Sequence, residues 1–387
     1  MSKWEMVKLG EICTVIAGQS PPSTSYNKRG EGLPFFQGKA DFGDLYPVVR
    51  NWCVSPKKVA LPNDVLISVR APVGPTNLSN VECCIGRGLS AIRTSSKINT
   101  SFLIKYLRYY EPKLASQGVG STFHAINQND IKNIPIPLPP LSEQKRIVDH
   151  LDRAQGLIDK RKEQIKLMDS LIQSLFYEMF GDPVRNEKGW EVKELGEVAP
   201  LQGGYAFKSK DYKDIGVKLV KITNVHKEYL VWDEIDCLPE EYAKKYPAFS
   251  LKRNDIVLAM TRPIIKSLDS VKVAQVRDID LPCLLNQRVG KFAIKNENIL
   301  STQYLYNFCL QQHFKNEVEK YSSVSLQPNV SNKQIDSIGI VLPPFELQQS
   351  FADRVKKIVA IKQSMETSLK ELEHNFNSLM QQSFSGG

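Results

Sequence analysis

The residue types that most often carry nucleophilic or metal chemistry are scattered in this sequence. The five histidines have no cysteine or second histidine at metal-ligand spacing; they are His124, His150, His226, His313 and His374. The seven cysteines are odd in number and form no CxxC pair, so we expect reduced thiols. Phosphate-loop, dinucleotide-loop, zinc-protease and nucleophile-elbow motifs are all missing. The sequence therefore predicts no catalytic site, no cofactor and no metal.

One segment, Ser20-Pro21-Pro22-Ser23, comes close to a catalytic motif. Adenine methyltransferases place Asn or Asp before Pro-Pro and an aromatic residue after it, and the aromatic ring stacks on the flipped base. Here Ser23 stands at the aromatic position, and no glycine motif for S-adenosylmethionine accompanies it. We interpret the segment as a turn.

Polar and basic side chains in loops between the predicted strands are suited to binding DNA. Arg, Lys, Asn, Gln, Ser and Thr hydrogen-bond to base edges, and Lys and Arg also contact phosphates. The candidates in the first part of the chain are Gln19, Ser20, Ser23, Lys28, Arg29, Gln37, Lys39, Arg70, Arg87, Ser121, Thr122 and His124. Those in the second part are Lys208, Lys210, Lys221, Thr223, Asn224, His226, Arg262, Lys266, Asn286, Gln287, Arg288, Ser323, Ser325 and Gln327. The alternative for each is a solvated side chain or one that hydrogen-bonds within its own turn.

The net charge of +9 is concentrated in two blocks. It is +7 for residues 1–140 and +3 for residues 185–342, whereas residues 141–184 carry −1 and residues 343–387 carry 0. Two basic blocks suit a polyanion held at two places, although a charge of this size is also ordinary for a soluble protein.

The chain contains one module twice. Residues 4–11 return as 190–197, 63–67 as 254–258, 87–93 as 288–295, and 136–140 as 340–344. This alignment places Arg87 opposite Arg288, which makes the two arginines the favoured DNA contacts; the alternative is a framework arginine paired with a carboxylate. In each copy we expect strands (residues 65–69 and 255–260), then a helix (102–110 and 303–314), then a last strand near 134 and 338. The predicted fold class is α/β (α+β), with two mixed α/β domains.

Each copy ends in a long helix that follows a Pro-Pro pair. We expect the first helix over residues 142–180, with Ser142 as its N-cap, and a second after Pro344. Apolar residues recur every three or four positions, interrupted only at Arg161 and Lys362. They define a helix seam of Ile147, Leu151, Ile158, Ile165, Met168, Ile172, Leu175, Phe351, Val355, Ile358, Met365, Leu369, Leu372, Phe376 and Leu379. These heptads predict that the two helices pair with each other; the alternative is that each packs separately on its own domain.

This organisation resembles the specificity subunits of type I restriction–modification enzymes. Residues 130–148, which include IPIPLPPLSEQKRIV, look like that family's junction between a target-recognition domain and a helix, and residues 341–344 repeat its Pro-Pro. The Trp4 and Trp190 segments are similar to the family's domain starts, so the resemblance covers essentially the whole chain. The second junction lacks a counterpart of Lys145-Arg146.

The resemblance implies a division of labour. It implies target-recognition domains at 1–140 and 185–342, and spacer helices at 141–184 and 343–387 that pack as an antiparallel coiled coil. Each domain would read one half of an asymmetric site in double-stranded DNA. Two methyltransferase (modification) subunits would dock on the assembly, with restriction (translocase/nuclease) subunits in the full complex, and those partners would carry out methylation and cleavage.

Two other functions are compatible with parts of the sequence. A DNA methyltransferase with a fused recognition domain would bind S-adenosylmethionine as an isolated chain. A coiled-coil scaffold would show no salt-dependent DNA binding. No apolar run is long enough to span a membrane and the first residues do not form a secretion signal, so we expect a cytoplasmic protein.

Overall fold

A computed structural model describes residues 4–116, 125–322 and 328–385. The chain forms two compact units, Met1–Glu163 with Glu366–Gly387, and Gln164–Met365. Each unit therefore contains one module, part of the long helix that follows the first module, and part of the long helix that follows the second.

The strands of the first module are β1 (Met6–Lys8), β2 (Cys13–Ala17), β3 (Tyr26–Asn27), β4 (Leu33–Phe36), β5 (Trp52–Cys53), β6 (Val59–Ala60), β7 (Val65–Ser68), β8 (Thr76–Leu78), β9 (Cys83–Ile85), β10 (Leu89–Thr94) and β11 (Pro135–Pro137). They form an antiparallel sheet in the order β2-β10-β7-β8 and a mixed sheet in the order β3-β5-β4-β9-β6. A separate pair, β1-β11, joins the beginning of the module to its end. The helices are α1 (Leu9–Ile12), α2 (Thr100–Ser116), α3 (Gln128–Lys132) and then α4 (Leu141–Phe180).

The second module repeats this plan. Its strands are β12 (Glu191–Glu194), β13 (Leu201–Gly203), β14 (Val217–Val220), β15 (Cys237–Leu238), β16 (Ile256–Ala259), β17 (Ile264–Ile265), β18 (Ser270–Val271), β19 (Val273–Gln275), β20 (Cys283–Leu285), β21 (Val289–Phe292) and β22 (Gly339–Leu342). The main sheet has the order β13-β21-β16-β19 and the mixed sheet the order β15-β14-β20, and the pair β12-β22 joins the beginning of the module to its end. The helices are α5 (Leu195–Val198), α6 (Glu241–Lys245), α7 (Thr302–Cys309), α8 (Gln312–Ser322), α9 (Asn332–Asp336) and α10 (Phe345–Ser385).

The single helix expected over 303–314 is wrong in this second module, because α7 ends at Cys309 and α8 begins at Gln312. Between them the backbone N–H groups of Leu310 and Gln311 donate to carbonyls three residues back. Phe308 and Phe314, on either side of the break, both pack into the core of the unit.

A buried glutamine joins each long helix to its module. The Gln144 side chain is fully buried, accepts from Asn99 N (2.7 Å), and donates to the carbonyls of Lys97 (3.1 Å) and Pro139 (2.9 Å). Gln348 does the same in the second unit, where it bonds Ser301 N, Ile299 O and Pro343 O. Because α4 begins at Leu141, Ser142 lies inside the first turn, and the expectation that it caps the helix is wrong.

Within each unit the start of one long helix packs beside the end of the other, which makes the pairing antiparallel. In the first unit Ile147 and Leu151 of α4 share a core with Phe384 of α10. In the second, Phe176 and Phe180 of α4 lie against Phe351 of α10, with ring centroids 5.8 and 5.1 Å apart.

The seam residues are all buried or half-buried, whereas Leu157, Leu167 and Leu171 beside them on α4 are about half exposed. Lys362, one of the two interruptions, is accommodated by an ion pair, since its Nζ lies 2.5 Å from Asp169 Oδ1.

Candidate DNA-recognition surface

In the first unit, four loops at the ends of central strands are tied together by backbone hydrogen bonds. Gln19 N, after β2, donates to Ile85 O (3.0 Å), and Gly86 N, after β9, donates to Phe36 O (2.8 Å). Val69 N, after β7, donates to Gly88 O at 3.0 Å. These loops therefore form one continuous edge of the module.

Five of the candidate DNA contacts lie on this edge: Gln19, Ser20, Gln37, Arg70 and Arg87. All except the half-buried Ser20 are exposed, and Ser20 Oγ accepts from Arg87 N at 3.3 Å. Within the described residues neither arginine has an ion-pair partner, so both guanidinium groups are available to an anion.

The second unit has the corresponding backbone hydrogen bonds between its own strand-end loops. Tyr205 N donates to Leu285 O (3.1 Å), Asn286 N to Val220 O (3.1 Å), and Met260 N to Arg288 O (2.8 Å). The glycine before each first loop is required by close packing, since a Cβ on Gly18 would lie 2.2 Å from Gly86 O and one on Gly204 2.1 Å from Asn286 O. The loops that converge here carry Tyr205, Lys221, Thr261, Arg262, Gln287 and Arg288.

These matched hydrogen bonds correct the predicted equivalence of Arg87 and Arg288. Because Val69 N bonds Gly88 O where Met260 N bonds Arg288 O, Arg288 corresponds to Gly88. Arg87 corresponds instead to Gln287. Both arginines are exposed on the edge, but they occupy neighbouring positions of the shared backbone framework, one residue apart. They would therefore contact different parts of a ligand.

Some of the remaining candidates lie away from the paired strand ends and some do not reach solvent. Ser23, Lys28, Arg29, Lys208, Lys210 and Lys266 are exposed in turns, and Lys39 begins a short helical turn just after Gln37. Arg29 Nε lies 3.3 Å from Glu31 Oε1, which fits the alternative of a solvated side chain. Thr223 is exposed, and His226 is half-buried with its ring 5.6 Å from Tyr229.

The structure removes Asn224 from the candidates. Its side chain is buried, donates to the carbonyls of Val231 and Glu234 at 3.0 Å each, and accepts from Lys221 N, so its hydrogen-bonding capacity is used inside its own loop. Asn286 is also buried, and its Oδ1 accepts from Gln287 N at 2.9 Å. Lys221 keeps partial exposure but is paired with Asp236.

Six candidates lie outside the described residues: Ser121, Thr122, His124, Ser323, Ser325 and Gln327.

Sequence reasoning missed Tyr205, which occupies the position of Gln19. Tyr205 is 39% exposed, and its ring packs against Tyr246 (4.7 Å between centroids) and Phe207 (4.9 Å). Lys245 Nζ lies 5.5 Å from the centre of the Tyr246 ring. The signal was available in the repeat, because Tyr205 follows Gly204 as Gln19 follows Gly18.

Two of the buried thiols, Cys83 and Cys283, lie on strands that end at this edge. Burial raises the pKa of Cys83 to about 11 and that of Cys283 to about 12, so both remain protonated near neutral pH. Across the three described stretches no group of His, Cys, Asp and Glu side chains is arranged to hold a metal ion. Among the helices of those stretches, none has the length and apolar character needed to cross a membrane.

Comparisons with known proteins show which family the chain is similar to. The family model "Type I restriction modification DNA specificity domain" matches residues 1–167 and 187–374. The MjaVIII specificity subunit of a type I restriction enzyme from Methanocaldococcus jannaschii is 29% identical over 97% of this chain and 92% of its own length. A putative type I specificity subunit from the same organism, MjaX, is 47% identical over 44% of this chain and 42% of its own.

A solved structure of the HsdS subunit from Thermoanaerobacter tengcongensis is 56% identical over 40% of this chain and 37% of its own, with a TM-score of 0.37. A type I specificity subunit from M. genitalium covers 99% of this chain and 96% of its own at 14% identity and a TM-score of 0.49. Two matches to the family model, one on each module, together span most of the chain. The chain therefore belongs to the type I restriction–modification specificity subunits, whose domains recognise DNA sequence.

Proposed function

We propose that each module reads one half of an asymmetric, two-part DNA target through its strand-end edge. The observation that carries the proposal is a shared backbone framework with different side chains at matching positions. Gln19, Gln37, Arg70, Arg87 and Gly88 in the first module correspond to Tyr205, Lys221, Thr261, Gln287 and Arg288 in the second. Two edges of equal geometry and unequal hydrogen-bonding pattern suit two different half-sites, because base edges are distinguished by donors, acceptors and methyl groups.

We further propose that the long helices set the distance between the half-sites. Helix α4 is continuous over 40 residues, which corresponds to about 60 Å at ~1.5 Å per residue. Duplex DNA rises ~3.4 Å per base pair, so a spacer of this length can separate two readers by more than one turn of DNA. On this proposal residues 1–140 and 185–342 are the readers, and residues 141–184 and 343–387 are the spacer.

The partners in the proposal follow from family membership. Two methyltransferase subunits dock on the assembly and transfer the methyl group, restriction subunits cleave in the full complex, and this chain, in the cytoplasm, supplies recognition without catalysis. Its edge of amide, hydroxyl and guanidinium groups is in keeping with a recognition role.

Replacement of one reader tests the proposal. Residues 1–140 are exchanged for the corresponding domain of another family member, and methylated sites are sequenced from cells that carry the hybrid with its partner subunits. We expect one half of the target to change while the other half is retained, and the reciprocal exchange of residues 185–342 should change the other half. Alteration of both halves by a single exchange would contradict independent reading.

A further inference from the structure

Two cationic residues, Arg262 and Lys272, lie where β16 ends in the second unit. Arg262 follows β16, and its backbone N donates to Pro328 O at 2.8 Å. Lys272 lies between β18 and β19. Its backbone N donates to Pro263 O at 2.6 Å, and its carbonyl accepts from Ala259 N at 3.0 Å. A third cation, Arg288, is joined to the same strand end through Met260 N. The strand end that carries Arg262 is thus also part of the recognition edge.

Within residues 4–116, 125–322 and 328–385, neither Arg262 nor Lys272 has an ion-pair partner. Two other cations of the same unit do have such partners, since Lys291 Nζ lies 3.6 Å from Asp255 and Arg277 contacts Asp280 at 3.0 Å. Burial, and then the charge of Arg262, lowers the pKa of Lys272. Two adjacent cations without an anion destabilise each other, and a bound anion removes that cost.

The first module has no equivalent pair. Ser68 N donates to Pro75 O where Ala259 N donates to Lys272 O, so Pro75 stands in the place of Lys272. Ala71 stands in the place of Arg262, two residues after the matching Val69. The cation pair is therefore a feature of the second module and is not needed for the shared framework.

We propose that Arg262 and Lys272 form a binding site for a phosphate of the DNA backbone, beside the half-site that the second module reads. This inference rests on the proposed function, because it places the phosphate next to the edge that carries Gln287 and Arg288. A guanidinium group can hold two phosphate oxygens in a planar, two-point contact, and the lysine ammonium group adds a point charge. Such a contact positions the module on DNA and does not distinguish bases.

The test measures the salt dependence of DNA affinity for the wild type and four variants. The full-length chain is purified with the subunits that accompany it, as wild type and with Arg262→Gln, Lys272→Gln, Lys272→Arg or Arg253→Gln. The DNA affinity of each protein is measured at salt concentrations from 50 to 200 mM. One duplex contains the target that the sequencing of methylated sites identifies, and the other is a scrambled duplex of equal length. Arg253 is the matched control because it precedes β16, lies at the opposite end of that strand, and pairs with Asp278 at 2.9 Å.

We expect Arg262→Gln and Lys272→Gln each to make the slope of log affinity against log salt less negative by about one, on both duplexes. The advantage of the wild type over each variant should then shrink about fourfold between 50 and 200 mM salt. Arg253→Gln should keep the wild-type slope, and Lys272→Arg, which retains the charge, should also keep it. Thermal unfolding midpoints verify that all variants are folded.

Slopes equal to that of the wild type for both Arg262→Gln and Lys272→Gln would overturn the phosphate site. An equally large change of slope in Arg253→Gln would overturn it too. The scrambled duplex does not depend on half-site reading, so the phosphate site can be supported even if domain exchange refutes independent readers. Conversely, independent reading can hold while the slopes refute the phosphate site.

Discussion

The joint between the first module and its long helix depends on one buried amide, and Gln144→Ala removes it. Gln144 accepts one hydrogen bond from Asn99 N and donates two, to Lys97 O and Pro139 O. Truncation leaves one N–H group and two carbonyls without their partner around a side chain that is fully buried in the folded chain.

The cost follows from those three groups. Each lost hydrogen bond contributes about 1 kcal/mol net, and groups left buried and unsatisfied cost somewhat more. We therefore expect Gln144→Ala to lower the free energy of unfolding by about 3 kcal/mol. For a unit of this size that corresponds to a fall of about 6–12 °C in the unfolding midpoint. Gln144→Glu should be no better than alanine, because it keeps the acceptor for Asn99 N but turns a carboxylate toward two carbonyl oxygens.

Calorimetric unfolding of the full chain measures this effect. Gln155→Ala is the control, since Gln155 lies on the same helix and its amide bonds Asp159 at the surface (2.9 Å). The control should change the free energy of unfolding by less than about 0.5 kcal/mol. If Gln144→Ala unfolded at the same temperature as Gln155→Ala, the buried amide would not be what joins helix and module.

Three other predictions follow from the packing and the charge. Phe384→Ala should destabilise the first unit by about 3 kcal/mol, because its ring packs against Phe102 and Tyr106 at 5.4 Å each, whereas Gln382→Ala should leave the thermal midpoint unchanged. DNA affinity of the assembled complex should fall about a hundredfold between 50 and 200 mM salt, as ~4 phosphate contacts would give, and a flat titration would exclude phosphate binding. A fragment of residues 1–184 should dimerise through its helix and direct methylation of a symmetric target, which the measured mass and sequencing of methylated sites would verify.

Much of the architecture could be predicted because it depends on pattern along the chain. The two mixed α/β modules with long helices are confirmed, as is the family. A repeat with matching ends predicts two copies of one fold. The heptads predict which face of each long helix is apolar, and this needs no knowledge of the residues on the partner helix. Even the interruption at Lys362 has a local explanation in the pair with Asp169.

The details that failed depend on hydrogen bonds that form only in the folded chain. The alignment of Arg87 with Arg288 followed residue identity, whereas the hydrogen bonds from Val69 and Met260 show that the true offset is one residue shorter. Asn224 has the composition of a base-reading residue, but only the folded loop shows that Val231 and Glu234 already use its amide. The role of Gln144 was likewise invisible, because two of its three partners lie about 45 residues earlier in the chain.

The central claim, that two independent readers are held apart by a helical spacer, is tested most directly by lengthening α4. Four residues inserted within 155–165 extend the helix by ~6 Å, or one to two base pairs at ~3.4 Å each. The insertion also shifts the seam against an unaltered partner helix, so some affinity should be lost. Sequencing of methylated sites from cells that carry the insertion should return both half-sites unchanged, with only the gap between them longer. An unchanged gap at full activity would contradict the spacer, and altered half-sites would contradict independent readers.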